Sequence, residues 1–475
     1  MLAAAAAVAG TNANDREVRI GPFFSSDTDV DGNMRVRALG PVYEKLCSVS
    51  NQNLSAVRPL YSFLDDPDLN NSSTHLLWPA AIGKTFRHDL DWRVLLISTY
   101  HDFNVNEPDS RYRFWILPFY FQGRGTNNNP YVALFPIAGK IDDGLYHDRI
   151  WFVLFPLYSY SRVEDYQTYC ALWPVFARGW SEDWDKTRVF PFYGYTRRRT
   201  DFIKRFIMWP VWNEATYGFP ESSGTAWFLT PVMGHVDLSD QESWALIPPL
   251  IRFSTRGRQQ LIYAPWPVFQ YARGITWKFY IWPLAGWKDA HGIQTSFAFW
   301  PFAYSTSREH GRGRYTRSKI APVVFCERWT ETRAPDGKSR PATVARTFKF
   351  WPLVSFKEDR DRLLVRMPSI CPFRDYPSID RNYAPFWTLF THAKNGEEIE
   401  DEFMWGLFQS RRGPARNRTE LFPLFFFERN RLNKAFEWSL LKGLFARSAG
   451  PGGNRYRLLW AFSWGGDKPG DKPQE

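Results

Sequence analysis

The stretch RIWFVLFPLYSYSR, Arg149–Arg162, decides how the chain is read. It is a run of β-branched and aromatic residues that favours a strand, yet Pro156 stands at its centre. Proline has no N–H to give a neighbouring strand, so a sheet interior should reject it. The arrangement nevertheless recurs along the chain. Prolines fill the equivalent slot at Pro118, Pro156, Pro174, Pro191, Pro210, Pro267, Pro283, Pro301, Pro352 and Pro423, with further slots between Pro22 and Ala461. About 24 slots with a mean spacing of about 19 residues are the signature of an internal repeat. The residue before the slot is often aromatic, as at Phe155, Trp173, Phe190, Trp209, Trp282 and Trp300.

Between the apolar cores lie Asp/Asn/Gly clusters such as DVDGN at 29–33, DDG at 142–144 and NGEE at 395–398. These are the residues that close hairpins. The cores carry no 3.6-residue period, so each unit reads as one strand of about 11–14 residues plus a turn. The expected fold is all-β, with about 24 antiparallel strands and a proline in the middle of each. Alternation then puts Phe152, Leu154, Pro156 and Tyr158 on one face and Val153, Phe155 and Leu157 on the other. Prolines inside paired strands would each cost ~1–3 kcal/mol in lost hydrogen bonds where buried. A bulge or bend shared from strand to strand is the expected escape, and it makes the proline a geometric device.

Nine apolar residues at ~3.3 Å each, tilted by ~40°, give a band about 23 Å tall, close to the ~25 Å of a transmembrane barrel. A large closed sheet, a β-barrel, is therefore expected. A propeller-like or stacked-sheet β-repeat stays open beside it, because a wet lumen should not be belted with Trp and Phe. A parallel solenoid is a weaker fit, since it needs a polar outward face.

Composition narrows the partners. Aromatics make up 18% of 475 residues while mean hydropathy is only −0.42, so apolar residues come in short bursts. No run reaches the ~18–20 apolar residues of a membrane helix. A net charge of +11 favours anionic partners, among them membrane lipid headgroups and lipopolysaccharide phosphates. Nucleic acid is not expected, because the basic residues are dispersed. Cys47, Cys170, Cys326 and Cys371 form no CxxC pair and give no disulfide framework. Residues 1–19 begin with an Ala-rich apolar run that reads as a signal segment without its basic start. Residues 20–464 form one β-repeat domain with a long loop at about 326–346, and 465–475 is a Gly/Pro/Lys tail expected to be disordered.

The recurring spelling LFPLY and LWPVF resembles large uncharacterised bacterial proteins built of FPLY/WPLY-type repeats. The resemblance covers residues 20–464 and implies a bacterial source without implying a mechanism.

Motifs for chemistry are sparse. Eight histidines are scattered without ligand spacing and read as surface or strand-end residues. No Walker-type loop or nucleophile elbow is present. Asp27, Asp29 and Asp31, in DTDVDGN, match the first half of a calcium loop, but the twelfth position is Ala38 and not the closing Glu. Asp89 with Asp91, and the run Glu397, Glu398, Glu400, Asp401 and Glu402, read as solvated turn carboxylates. The expected function is non-enzymatic: a cell-envelope protein of the outer membrane or periplasm, acting as a pore or scaffold. The alternative is a soluble exported protein that binds a glycan or a protein partner.

Overall fold

The computed structural model describes residues 17–87, 89–102, 111–126, 129–311, 313–331, 342–451 and 453–465. The Ala-rich start, the tail after Gly465 and residues 332–341 of the expected long loop lie outside the described residues. All-β is the observed class: 46 antiparallel strands in one sheet, with a few helices of six residues or fewer. Wherever register is described, each strand pairs with its neighbours in the chain, as in a meander.

The strand count of about 24, each with a central proline, is corrected by this pairing. His147–Val153 and Tyr158–Val163 are two strands, not one, paired from Arg149 opposite Arg162 to Val153 opposite Tyr158. Residues 154–157 form the turn between them, closed by the Leu157 N–H donating to the Leu154 carbonyl at 2.8 Å. The same holds at further slots: Pro118 lies between Ile116 and its partner Tyr120, Pro283 between Ile281 and Ala285, and Pro423 between Leu421 and Phe425. The peptide bond before each of these prolines is cis.

The missing donor is thereby accounted for. A proline in the turn is asked for no ladder hydrogen bond, while its carbonyl remains an acceptor. The carbonyl of Pro136 accepts from the Phe155 N–H and that of Pro156 from the Trp173 N–H, both at 2.8 Å. Pro191 and Trp209 repeat the bond at 2.7 Å, and Pro283 and Trp300 at 2.8 Å. Successive turns are thus joined along one edge of the sheet.

The chain divides into two compact units: Pro79–Pro322 with Glu327–Ala342, and Met1–Trp78 with Val323–Cys326 and Thr343–Glu475. In the first of these, one face of the sheet is buried beneath its own side chains. The strand Pro130–Leu134 buries Tyr131 and Ala133 and exposes Pro130, Val132 and Leu134. Trp115, Phe121, Tyr131, Ala133, Ile141 and Phe152 form one cluster on this face, with Trp115 Nε1 donating to the Tyr131 hydroxyl at 3.1 Å. Large residues alternate with small ones across the strands. The Phe206 ring lies over Gly194, Phe228 over Gly234, Phe297 over Gly286 and Trp92 over Gly83, each where a Cβ would overlap the ring. An aromatic laid across a neighbour's glycine covers backbone that would otherwise be wet. This side is the glycine face.

In the other unit, strands from the start of the chain pack face to face on strands from its end. The Arg35 guanidinium reaches Glu400 at 3.1 Å, and Asn395 Nδ2 donates to Asp31 at 2.8 Å. Val18–Ile20 pairs with Phe24–Thr28, and Phe462–Gly465 pairs with Gly453–Leu458. Among the described residues no strand pairing joins the first strand to the last.

Replacing Gly194 by Ala forces the Phe206 ring aside, and overpacking of this kind costs ~1–3 kcal/mol. Thermal unfolding should show the loss, and the pair Gly194→Ala with Phe206→Ala should destabilise by less than the two single losses summed. Strict additivity of the two variants would contradict the contact.

Candidate functional site

The proline turns make one edge of the Pro79–Pro322 unit apolar. Leu154, Leu157, Leu172, Val175, Met208, Val211, Phe299 and Phe302 supply the turn residues around the prolines. At four pairs of turns the aromatic before one proline meets that before the next: Phe135 and Phe155 at 5.4 Å between ring centroids, Phe155 and Trp173 at 5.9 Å, Phe190 and Trp209 at 5.4 Å, Trp282 and Trp300 at 5.7 Å. Phe135 and Phe155 lean against the buried cluster, while three of the tryptophans stand open: Trp173 is 51% exposed, Trp209 51% and Trp300 47%. Scattered exposed apolar residues are ordinary, but a contiguous row of them marks an interaction surface.

Away from this edge, the face opposite the glycines changes character in steps. Nearest the turns it carries Val153, Phe176, Tyr193, Ile207, Leu246 and Ile281. Two residues further along come rings: Trp151, Tyr160, Tyr169, Trp227, His235, Trp244 and Phe279. Trp212 and Trp227 stack at 5.9 Å, and His235 lies on Trp244 at 3.9 Å. At the far edge stand charges paired with one another, Asp185 with Arg178 and Glu309 with Arg314 at 2.7 Å. Apolar, then aromatic, then charged is the order of a protein surface entering a lipid layer.

The second unit holds most of the buried charge. Arg19 Nε meets Asp27 at 3.0 Å, Arg37 meets Glu402 at 2.5 Å, and Arg418 lies 2.9 Å from Glu17 and 3.2 Å from Glu420. Asp27, Glu400, Glu402 and Glu420 are all buried. The acidic run at 397–402 is therefore corrected in part: Glu398 bonds Arg411 at 2.6 Å near the turn, whereas Glu400 and Glu402 face Arg35 and Arg37 between packed strands. Opposite charges attract strongly there because water is excluded.

The structure separates the three aspartates of the calcium-like motif. Asp27 turns into the ion network, while Asp29 Oδ1 accepts from the backbone N–H of Asp31 and Asn33, both at 2.9 Å, as turn aspartates do. Asp31 accepts from Asn395. Among the described residues no group of three His, Cys, Asp or Glu side chains converges as a metal site. The four cysteines are free and half-buried. Asp91 lies near Arg93 and Arg113, at 3.7 and 4.0 Å. The surface or strand-end reading of the histidines fails for His75, which is buried, and for His235, which stands inside a strand.

One segment leaves the repeat, at 368–389, where Pro377–Asn382 and Ala384–Trp387 are helical. It lies on the sheet through Lys349, which is buried, donates to the Cys371 carbonyl at 2.7 Å and pairs with Asp375. A small cleft here is lined by Ser355, Arg366, Cys371, Asp375, Asp380 and Trp387. Burial alone would raise the Asp375 carboxyl, but hydrogen bonds and charge from Lys349 and Lys357 outweigh it and hold Asp375 below the usual carboxylate range. Burial pushes Asp380 up, against the charge of Arg366 and with that of Asp375. Neither this segment nor the buried ion network is legible in the sequence. No protein-family model matches the chain, and no curated protein shows significant similarity to it.

Removing one partner of a buried pair leaves the other uncompensated, at a cost of ~3–5 kcal/mol. Lys349→Met should therefore weaken the local stability of 377–387, read by hydrogen exchange, by about that much at pH 7. Asp375 has a depressed pKa, so its contribution is present above the unfolded value and is lost as pH falls through the folded one. The gap between wild type and variant should shrink toward pH 3. A gap that holds constant from pH 7 to pH 3 would contradict the pairing.

Proposed function

We propose that the protein is a non-enzymatic component of a bacterial cell envelope, of the outer membrane or the periplasm facing it, and that it acts as a scaffold seated in lipid by its proline edge. The observation that carries this is the apolar proline edge, with Trp173, Trp209 and Trp300 exposed along it, together with the graded face opposite the glycines, where apolar residues give way to rings and then to charge. A lipid layer presents that same sequence of environments within one leaflet. The strands are mostly five or six residues long. At ~3.3 Å per residue they reach about 17–20 Å, short of the 9–11 tilted residues that cross a bilayer. Insertion into one leaflet suits that length better than a membrane-crossing pore. Closure of the sheet, if it forms part of this scaffold, is proposed to run through the ionic packing of the first strands on the last, in place of a barrel's strand pairing. Membrane lipid, and lipopolysaccharide where it is the lipid present, is the proposed partner.

Flotation with phosphatidylcholine vesicles tests the reading. The wild-type chain should float with the vesicles, with its Trp emission shifted to shorter wavelength. Trp173→Ser, Trp209→Ser and Trp300→Ser together should lower partitioning at least tenfold while leaving the circular dichroism spectrum unchanged, since all three side chains are about half exposed. A wild-type chain that stays in solution, or a triple variant that floats as well as wild type, would overturn it.

A further inference from the structure

The glycine face of the Pro79–Pro322 unit carries a charge pattern that neither the fold nor membrane seating requires. Between Tyr158 and His310, six acidic residues lie within strands: Asp185, Glu214, Asp237, Glu242, Asp289 and Glu309. Register places every one of them on the opposite face, across from residues such as Arg197, Arg205 and Arg314. There they find partners, Glu214 with Arg205 at 3.4 Å and Glu309 with Arg314 at 2.7 Å.

The glycine face of the same strands has cations and no carboxylate. Lys186, Arg188, Lys204, Arg252, Lys278 and Lys288 all point to it, in register with Gly194, Phe206, Ala245 and Gly286. None of the six forms an ion pair among the described residues. Their contacts are neutral: Arg252 donates to Ser243 at 3.1 Å, Lys278 bonds Gln270, and Lys204 lies 4.6 Å above the Phe202 ring. The Arg188 Nε is buried without a hydrogen-bond partner. Lys278 stands directly opposite Lys288, a cross-strand pair of like charges that a sheet normally avoids. Burial, and then the charge of Arg188, lowers the Lys186 pKa; burial and Lys288 do the same to Lys278. Uncompensated cations ranged along one face of the sheet call for an anion from outside the chain.

Their level selects the anion. Lys186, Lys204, Lys278 and Lys288 each stand three residues from the strand end that enters a proline turn. At ~3.3 Å per residue, they share a row roughly 10 Å inside the proline edge, before the depth of the turn is added. One leaflet's hydrocarbon is about 15 Å deep, half of a ~30 Å core. With the proline edge among acyl chains, the row comes level with lipid phosphates.

We propose that this face binds the phosphate headgroups of anionic membrane lipids, so that the protein selects anionic over zwitterionic lipid. The proposal rests on the membrane reading above. Its test uses the full chain with phosphatidylcholine vesicles and with vesicles containing about one third phosphatidylglycerol, at low and high salt. Wild type should partition at least tenfold more strongly into the anionic vesicles, and high salt should remove the difference. Lys186→Gln, Lys204→Gln, Lys278→Gln and Lys288→Gln together should reduce anionic binding to the phosphatidylcholine level and leave phosphatidylcholine binding intact, whereas the four Lys→Arg changes should keep the preference. Lys204→Gln alone, at an exposed side chain, should lower the preference severalfold without any effect on folding. Equal wild-type binding to both vesicles overturns this inference and leaves the membrane reading standing; binding to neither overturns both. A single-stranded oligonucleotide that binds through the same lysines as tightly as the anionic vesicles would overturn the lipid assignment in favour of a polyanion.

Discussion

Several of the repeats are joined through a carbonyl without a companion N–H. Proline can accept from a neighbour but has nothing to donate, so it belongs where one hydrogen bond is wanted and two are not. The turn at the sheet edge is such a place. There the Pro156 carbonyl takes the Trp173 N–H, and the same bond joins Pro136 to Phe155 and Pro283 to Trp300. The aromatic that donates is held against its counterpart in the preceding turn, as in Phe135, Phe155 and Trp173 and in Trp282 with Trp300. Everything else about the sheet follows from that edge: where strands stop, which residues face which way, and which end of each hairpin is apolar.

With the turns fixed, alternation assigns the two faces different tasks. On one, Gly194, Gly234 and Gly286 admit the rings of Phe206, Phe228 and Phe297, so that a single sheet can bury side chains without a second layer. On the other, apolar residues give way to aromatics and then to paired charges. The asymmetry extends to electrostatics, because in-strand carboxylates between Tyr158 and His310 occupy only that second face. Where the chain does form two layers, near its ends, it uses ion pairs such as Arg19 with Asp27 and Arg37 with Glu402.

The period, the all-β class and the importance of the proline slots are legible in the sequence. What the sequence hid was the turn. Leu154, Phe155, Pro156 and Leu157 contain none of the polar residues by which turns are usually recognised, because this edge is apolar throughout. Read as one strand, the stretch places Val153 and Tyr158 on opposite faces; as a hairpin it pairs them on the same one. A usable signal was present in the small residues that follow the proline at fixed distance, Ala177, Gly194, Gly234 and Gly286, since a glycine in a strand implies a ring across from it. The Arg35–Glu400 contact had no such signal, being separated by most of the chain.

In the proposed seating, depth in a lipid layer runs along each hairpin from its proline turn. Nitroxide labels placed singly at Leu154, Tyr158, Tyr160 and Arg162, with the four native cysteines replaced, measure this directly by their relaxation with oxygen and with a water-soluble nickel complex. With vesicles present, the oxygen-to-nickel ratio should be highest at 154 and fall steadily to 162. Equal ratios at all four positions, or a maximum at 162, would contradict the account.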